Sequence, residues 1–207
     1  MHIELTEMLR CPEEHREEYL VLSTSEMNGR MVMLGVVGCP VCQREFEIID
    51  GIVDFTAAIT GERQVRAVRR TPAARSPIVI DAQSLQALLD LGGPGGYVIL
   101  LGSAARHAEG LAGLMGGVHF VGINAPADVE ELPILSLLQA DRVIPLRQGM
   151  ARGVVVGAEL AATPWVADGT RVLLRGRRLV VESELAVLPE SVTKLASGEG
   201  LWVGEKK

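Results

Sequence analysis

The stretch Tyr97-Val-Ile-Leu-Leu-Gly-Ser103 decides the fold. Its uninterrupted apolar run ends in glycine and serine, which is typical of a strand that is buried on both faces of a sheet. A helix-like segment, HAEGLAGLM (107–115), follows it, and a second strand-like run, VHFVGIN (118–124), comes next. A strand, a helix and a strand in this order predict two parallel strands joined by a crossover helix.

The same alternation continues on both sides of this unit. The segment SLQALLDL (84–91) is helix-like, and further strand candidates lie at 142–146, 153–156, 178–182 and 201–204. The intervening LGGPGG (91–96) lacks the Lys-Ser/Thr of a phosphate-binding loop and precedes the strand, so it is interpreted as a turn. Residues 78–207 are therefore predicted to form an α/β domain with a Rossmann-like, doubly wound, mostly parallel sheet.

Residues 1–55 contain all three cysteines of the chain and short strand-like runs. Two ligand pairs are spaced for a tetrahedral zinc ion, each pair on a tight turn. The predicted ligands are Cys11, His15, Cys39 and Cys42. Glu13 or Glu14 could replace His15 as an oxygen ligand. Four protein ligands leave no open position for water, so the sequence predicts a structural site in a small β-rich zinc ribbon.

Two segments of this module, LRCPEEH (9–15) and GCPVCQREFEIIDGIVDF (38–55), carry a resemblance. They resemble the zinc-ribbon family of small activators of tRNA, protein and ribosomal methyltransferases. His15 departs from that family, which commonly has a second Cys-x-x-Cys pair, and Val53 stands where proline is usual. The resemblance implies a module that pairs with a methyltransferase by strand addition, and RMVMLGVVG (30–38) is the expected pairing edge.

Residues 78–207 resemble the class I methyltransferases that bind S-adenosylmethionine, but their glycine-rich loop is changed. Leu100 stands in place of an acidic residue, and Ala104 and Arg106 replace two glycines. Asn124 stands where an acidic residue binds the ribose hydroxyls in that family, and it lacks the negative charge. The positions left to contact a cofactor are Gly102, Ser103 and Asn124. These changes argue against ordinary S-adenosylmethionine binding.

The later segments of the domain lack the expected chemistry too. Arg152 precedes the predicted fourth strand where the methyltransferase family has an aspartate, and no substrate-reading motif follows that strand. His107 has no carboxylate partner nearby in sequence and is interpreted as a capping or surface residue. No catalytic residue is assigned, and the sequence favours a protein that is not catalytic; if it is an enzyme, it is expected to be an S-adenosylmethionine-dependent methyltransferase.

The composition limits the partners of the protein. The 207 residues carry a formal net charge of −6, so nucleic-acid binding would need a local basic patch. The candidates are the arginines of a predicted linker at 56–77 (Arg63, Arg66, Arg69, Arg70 and Arg75) and a second group, Arg171, Arg175, Arg177 and Arg178. Both are interpreted as solvated faces. The cysteine content and the lack of an apolar membrane-length window predict a cytoplasmic protein with no membrane segment.

Two hypotheses follow from the sequence. The first is a zinc-binding accessory protein whose methyltransferase-like domain has lost normal cofactor binding and which presents a surface to a protein partner, such as a methyltransferase or another enzyme. The alternative is an active methyltransferase with an atypical cofactor pocket. Binding of S-adenosylmethionine distinguishes the two.

Overall fold

The computed structural model describes residues 1–59, 80–130 and 132–207. Most of the predicted arginine-rich linker, including Arg63 to Arg75, therefore lies outside the described residues. The predicted domain boundaries stay predictions. The described helices and strands are β1 (Val21–Asn28), β2 (Met31–Gly38), β3 (Glu45–Ile49), β4 (Ile52–Asp54), α1 (Ala82–Leu89), β5 (Tyr97–Leu101), α2 (Ala108–Leu114), β6 (His119–Ile123), β7 (Leu135–Gln139), β8 (Ala151–Val156), α3 (Thr163–Val172), β9 (Leu173–Val181), β10 (Val192–Gly198) and β11 (Leu201–Lys206).

All these strands join one sheet in the order β1-β2-β3-β4-β7-β6-β5-β8-β9-β11-β10. The six central strands, from β4 to β9, pair in parallel, and the strands on either flank pair antiparallel. The order β7-β6-β5-β8-β9 is the 3-2-1-4-5 order of a doubly wound fold. The predicted α/β class with a central parallel sheet is confirmed.

Both faces of the central strands are buried, as their apolar runs predict. Val98 and Leu100 of β5 pack in a core with Leu85 of α1 and Leu111 of α2. The alternate residues of β5 point to the opposite core, which Val166 of α3 and the N-terminal segment also supply. The period of two along the strand thus divides one apolar run between two layers of the fold.

Three predicted details of the sheet are wrong. The third parallel strand is β7, and the apolar segment 142–146 lies beyond it as an irregular loop. The strand β10 and the helix α3 were not predicted; α3 contains Thr163, Gly169 and Thr170, which weaken a helical pattern, and a proline in its first turn, which is tolerated there. Tertiary packing decides these segments, since their local propensities are weak.

Strands β1 to β4 form an antiparallel meander at one side of the sheet. Strand β4 then pairs in parallel with β7, with Val53 opposite Leu138 and Asp54 opposite Gln139. The expected pairing edge, residues 30–38, is wrong: β2 lies between β1 and β3. The N-terminal segment therefore extends the sheet within its own chain, and the strand that does so is β4.

The two outer strands of the described sheet are both irregular. Strand β1 has register shifts between Thr24 and Met27, and β10 has one between Lys194 and Ala196. Such bulges disturb the row of backbone groups that another strand would need for pairing. Among the described residues, none of the helices has the length and apolar character needed to span a membrane.

Candidate functional site

The four predicted metal ligands lie together at one end of the antiparallel meander. Cys11 and His15 lie on the loop that precedes β1, and Cys39 and Cys42 form a tight turn directly after β2. Their ligand atoms all lie within 4.8 Å of one another. Cys11 and Cys39 are buried, whereas His15 and Cys42 are half-buried. Residues distant by up to 31 positions thus form one cluster.

The distances in this cluster fit a tetrahedral zinc site. Zinc–sulfur bonds of about 2.3 Å and zinc–nitrogen bonds of about 2.0 Å place two sulfurs about 3.8 Å apart, and a sulfur and a nitrogen about 3.5 Å apart. The sulfur atoms of Cys11 and Cys42 are 3.7 Å apart, and Cys39 Sγ lies 3.4 Å from His15 Nε2. The donor set and its geometry therefore match what a structural zinc ion requires.

His15 is oriented as a metal-binding imidazole. Its Nδ1 lies 2.7 Å from the carbonyl oxygen of Arg16, which favours the tautomer with the proton on Nδ1 and leaves Nε2 as a lone-pair donor. Glu13 instead pairs with Arg44 at 2.8 Å, and Glu14 is exposed. Of the alternatives left open by the sequence, His15 has the better geometry.

The two buried thiols differ in their tendency to ionise. Burial raises the pKa of Cys11 to about 12. At Cys39 burial also acts to raise the pKa, but backbone N–H groups of Cys42 and Val41 donate to the sulfur and hold its pKa below the ordinary value. Since zinc binds thiolates, loading the site is expected to release a proton from Cys11.

A second group of polar residues lies at the carboxyl ends of the parallel strands, where doubly wound folds bind ligands. Ser103 follows β5 and is 4% exposed. Its backbone N–H donates to Glu159 Oε1, and its hydroxyl donates to Glu159 Oε2 at 2.8 Å. Glu159 lies in the turn after β8, so a carboxylate of the chain itself binds the loop that a cofactor would contact.

Two glycines make room for this carboxylate. Gly102 has a φ of +61°, and a Cβ there would collide with the carboxylate of Glu159. A Cβ on Gly157 would lie 2.5 Å from Ser103 Oγ and 3.0 Å from Glu159 Oε2. The one loop glycine that the sequence retains therefore fits the packing of Glu159 as well as it would fit a ligand.

The side chain of Asn124 is bound within the chain. It follows β6 with a φ of +53°, and its side chain bonds the backbone of Ala140 twice. Nδ2 donates to the carbonyl of Ala140 at 2.7 Å, and Oδ1 accepts from the amide of Ala140 at 2.9 Å. This pairing uses one of the two lone pairs of Oδ1 and fixes the orientation of the amide.

Two side-chain contacts connect loops at this edge of the sheet. Arg106 makes a two-point contact with Asp128 at 2.8 and 3.0 Å, which joins the loops after β5 and β6. His107 Nε2 lies 3.4 Å from Glu182, a carboxylate after β9 that is 2% exposed. His107 stands at the N-cap position of α2, as the capping interpretation expects, but its side chain makes no capping hydrogen bond and instead faces a carboxylate 75 residues away in sequence.

The sequence did not single out Glu159, Asp128 or Glu182. Each lies just after a strand, which is the position that could have drawn attention to it. Only the order of strands in the sheet brings them to the same edge.

A cavity of about 830 Å³ separates the metal cluster from the end of β7. His15 and Cys42 line one side, Ala140 to Val143 line the other, and Phe55 contributes from the segment after β4. The cavity wall carries both signs of charge, including Arg10, Glu14, Arg142 and Asp141.

The arginines of the second predicted group have different environments. Arg171 binds Asp168 and the carbonyls of Ile144 and Leu146, and Arg178 contacts carbonyls at the end of α1 and Asp90. Arg175 is exposed and Arg177 is half-buried. The described residues therefore do not present this group as a single basic face.

Arg152 has a structural role. Its guanidinium donates to the carbonyls of the predicted turn, LGGPGG, at Gly92, Gly93, Pro94 and Gly95. Arg152, in β8, thus binds directly to the turn before β5.

No protein-family model and no curated protein sequence match this chain. Several of the similar solved structures are named as methyltransferases. One is a complex that contains the Haloferax volcanii Trm112 methyltransferase activator (16% identity, 48% of this chain and 50% of that chain, TM-score 0.39). Another is the geranyl diphosphate C-methyltransferase of Streptomyces coelicolor A3(2) with S-adenosyl-L-homocysteine (14% identity, 48% of this chain and 41% of that chain, TM-score 0.41). A third is a geranyl diphosphate methyltransferase with S-adenosylmethionine (12% identity, 61% of this chain and 84% of that chain, TM-score 0.45). The present chain spans half or less of the length of the first two structures.

Proposed function

We propose that this protein is a zinc-binding, methyltransferase-like accessory protein that does not bind S-adenosylmethionine in the ordinary way. The observation that carries the proposal is the contact of Glu159 with both donors of Ser103. A carboxylate at this position repels an incoming ligand carboxylate, and it uses the backbone donor that such a ligand would need.

The other cofactor-facing positions do not fit S-adenosylmethionine either. The amide of Asn124 is engaged with Ala140, and the side chain of Ala104 is buried at the position where the methyltransferase loop has its second glycine. A cofactor would have to break several contacts before it gained its own. The proposal therefore assigns no methyl-transfer step to this edge of the sheet.

Zinc has a structural role in the proposal. Cys11, His15, Cys39 and Cys42 would hold the ion, and with four protein ligands it would fix two loops without activating water. Metal coordination would stabilise a short segment that buries little apolar surface by itself. The sulfurs of Cys11 and Cys42 are 3.7 Å apart, and Cys39 Sγ lies 3.4 Å from His15 Nε2; both distances support this assignment.

The accessory role requires a protein partner that binds without strand addition to the ribbon. Strand β2, the expected pairing edge, lies between β1 and β3, and β4 pairs with β7 of the same chain. The outer strands β1 and β10 are bulged. The partner is therefore expected to bind a side-chain surface of the protein, and nucleic acid is the less favoured partner.

The alternative function is an active methyltransferase with an atypical pocket. The observation that favours it is the cavity of about 830 Å³ at the end of β7, next to the cofactor-facing edge. Glu159 is also an exposed residue, so its carboxylate is not locked in place by burial. In that case the substrate would be RNA, a protein or a small molecule.

Calorimetry with S-adenosylmethionine tests the proposal on folded protein that carries one equivalent of zinc. We expect no heat of binding beyond dilution at millimolar cofactor. Saturable binding with a micromolar Kd would establish the alternative. Glu159→Ala combined with Asn124→Asp restores the open loop and the ribose acceptor, and it serves as the matched variant that should gain binding if these two positions are the obstacle.

A further inference from the structure

We infer that metal occupancy of the Cys11, His15, Cys39 and Cys42 cluster sets the position of the loop after β7, residues 140–147, through the side chain of Arg147. The inference rests on the proposed zinc site and adds to it a route by which the metal acts on the parallel sheet. The loop 140–147 follows a strand of the parallel sheet, whereas the ligands Cys11 and His15 lie in the N-terminal segment. A contact between the loop and the metal site therefore joins two parts of the chain that are far apart in sequence.

The chain that enters the metal loop is attached to this segment by its backbone. Leu9 forms an isolated antiparallel bridge with Leu146. The amide of Arg10 donates to the carbonyl of Pro145 at 3.0 Å, and the amide of Arg147 donates to the carbonyl of Met8 at 2.8 Å. These bonds end one residue before Cys11, so they fix the entrance of the metal loop.

The chain that leaves the metal loop is attached by the side chain of Arg147. Its guanidinium carbon lies 3.6 Å from the centre of the Tyr19 ring, and its Nε lies 3.4 Å from a carboxylate oxygen of Glu17. Both partners come shortly after His15. The segment Pro145–Arg147 therefore holds both ends of the loop that carries Cys11 and His15.

The same segment is held on its other side by α3. Asp168 accepts a hydrogen bond from the amide of Ile144, and Arg171 donates to the carbonyls of Ile144 and Leu146 at 2.8 Å each. Residues 140–143, which come directly before, line the cavity opposite His15 and Cys42. A change in the metal loop is thus passed to the cavity wall and to α3 by a chain of direct contacts.

Thermodynamic linkage means that the coupling can be measured either as metal affinity or as the stability of the Arg147 contact. Without metal, His15 and Cys11 lose the bonds that close their loop, and Glu17 and Tyr19 lose the fixed position that Arg147 contacts. If the metal favours the Arg147 contact, then the contact must strengthen metal binding by the same factor. A cation–π contact at a partly exposed site corresponds to roughly a two- to fivefold change in an equilibrium constant.

Zinc competition with a chromophoric chelator tests the inference. We expect Arg147→Ala and Tyr19→Ala each to weaken zinc binding about threefold, and the double variant to be no weaker than the poorer single variant, because both remove one contact. Tyr19→Phe keeps the ring face and should bind as the wild type does. Gln148→Ala is the control, since Gln148 directly follows Arg147, is exposed and does not line the cavity. Tyr19 is 59% exposed, so its substitutions do not threaten folding.

Two further measurements distinguish a loss of loop positioning from a general loss of structure. With Co²⁺ in place of zinc, the visible spectrum of Arg147→Ala should keep the wild-type bands, because the four ligands are unchanged. In the wild type, removing the metal should speed exchange of the amide hydrogens of Ile144, Leu146 and Arg147. Equal zinc affinity in wild type and Arg147→Ala, with exchange that does not respond to metal, would overturn the inference and leave the zinc site in place. A wild-type protein that binds no zinc would overturn the zinc proposal itself.

Discussion

Replacement of Glu159 by alanine is the most informative single change in the cofactor-facing edge. It removes both acceptors of Ser103, whose N–H and hydroxyl lie in a residue that is 4% exposed. A hydrogen bond to a charged group contributes roughly 1.5–3 kcal/mol, and a buried donor left without a partner costs about 1–3 kcal/mol. Since Glu159 is itself exposed, solvent screening reduces the first contribution, and water can reach part of the vacated space. We expect a net loss of about 2 kcal/mol in the free energy of unfolding.

Urea and thermal unfolding measure this loss. For a chain of this size, about 2 kcal/mol corresponds to a decrease in Tm of roughly 4–8 °C. Glu159→Gln keeps one acceptor and should fall between the wild type and the alanine variant. The exposed Glu190→Ala is the matched control and should change little. If Glu159→Ala unfolds at the same urea concentration as the wild type, the carboxylate does not hold the loop after β5. Glu159 would then be no obstacle to a cofactor at that loop.

The remaining predictions concern the metal, the glycine turn and the first helix. His15→Ala should lower zinc content, measured by mass spectrometry of the metal, whereas Glu13→Ala should keep one equivalent; the reverse result would assign the fourth ligand to the carboxylate. Arg152→Ala removes the donors that hold the LGGPGG carbonyls and should lower the free energy of unfolding by about 1–2 kcal/mol, with the exposed Arg142→Ala unchanged. Hydrogen bonds from the hydroxyl and amide of Ser84 hold the pKa of Asp81 below its usual range, so this N-cap stabilises the fold above the unfolded pKa, near 4, and its contribution is lost as the pH falls through the lower folded pKa. The stability difference between the wild type and Asp81→Ala, measured in urea, should therefore be present at pH 7 and disappear towards pH 2; a difference that persists unchanged would contradict this.

The sequence by itself determined the features that depend on short-range pattern. The uninterrupted apolar runs of β5 and β6, separated by a helical segment, were sufficient to predict parallel strands buried on both faces. The spacing of Cys39 and Cys42 predicted a tight turn that presents two sulfurs to one ion, and the first ligand pair followed from the same reasoning. The substitutions at Ala104 and Asn124 raised the question of cofactor binding, because side-chain type alone limits what these positions can contact, and the answer stays a prediction.

Only the tertiary structure decided which residues meet across the sheet. Glu159 reaches Ser103 over 56 positions and Glu182 reaches His107 over 75, and both contacts exist because β8 and β9 follow β5 in the sheet. The pairing of β4 with β7 likewise depends on the order of strands, which no local pattern encodes. Hydrophobic periodicity specifies which face of a strand is buried, but not which strand lies beside it. The contacts at the carboxyl ends of the parallel strands are of this long-range kind, and for that reason the fold class was predictable while the contact of Glu159 with the loop after β5 was not.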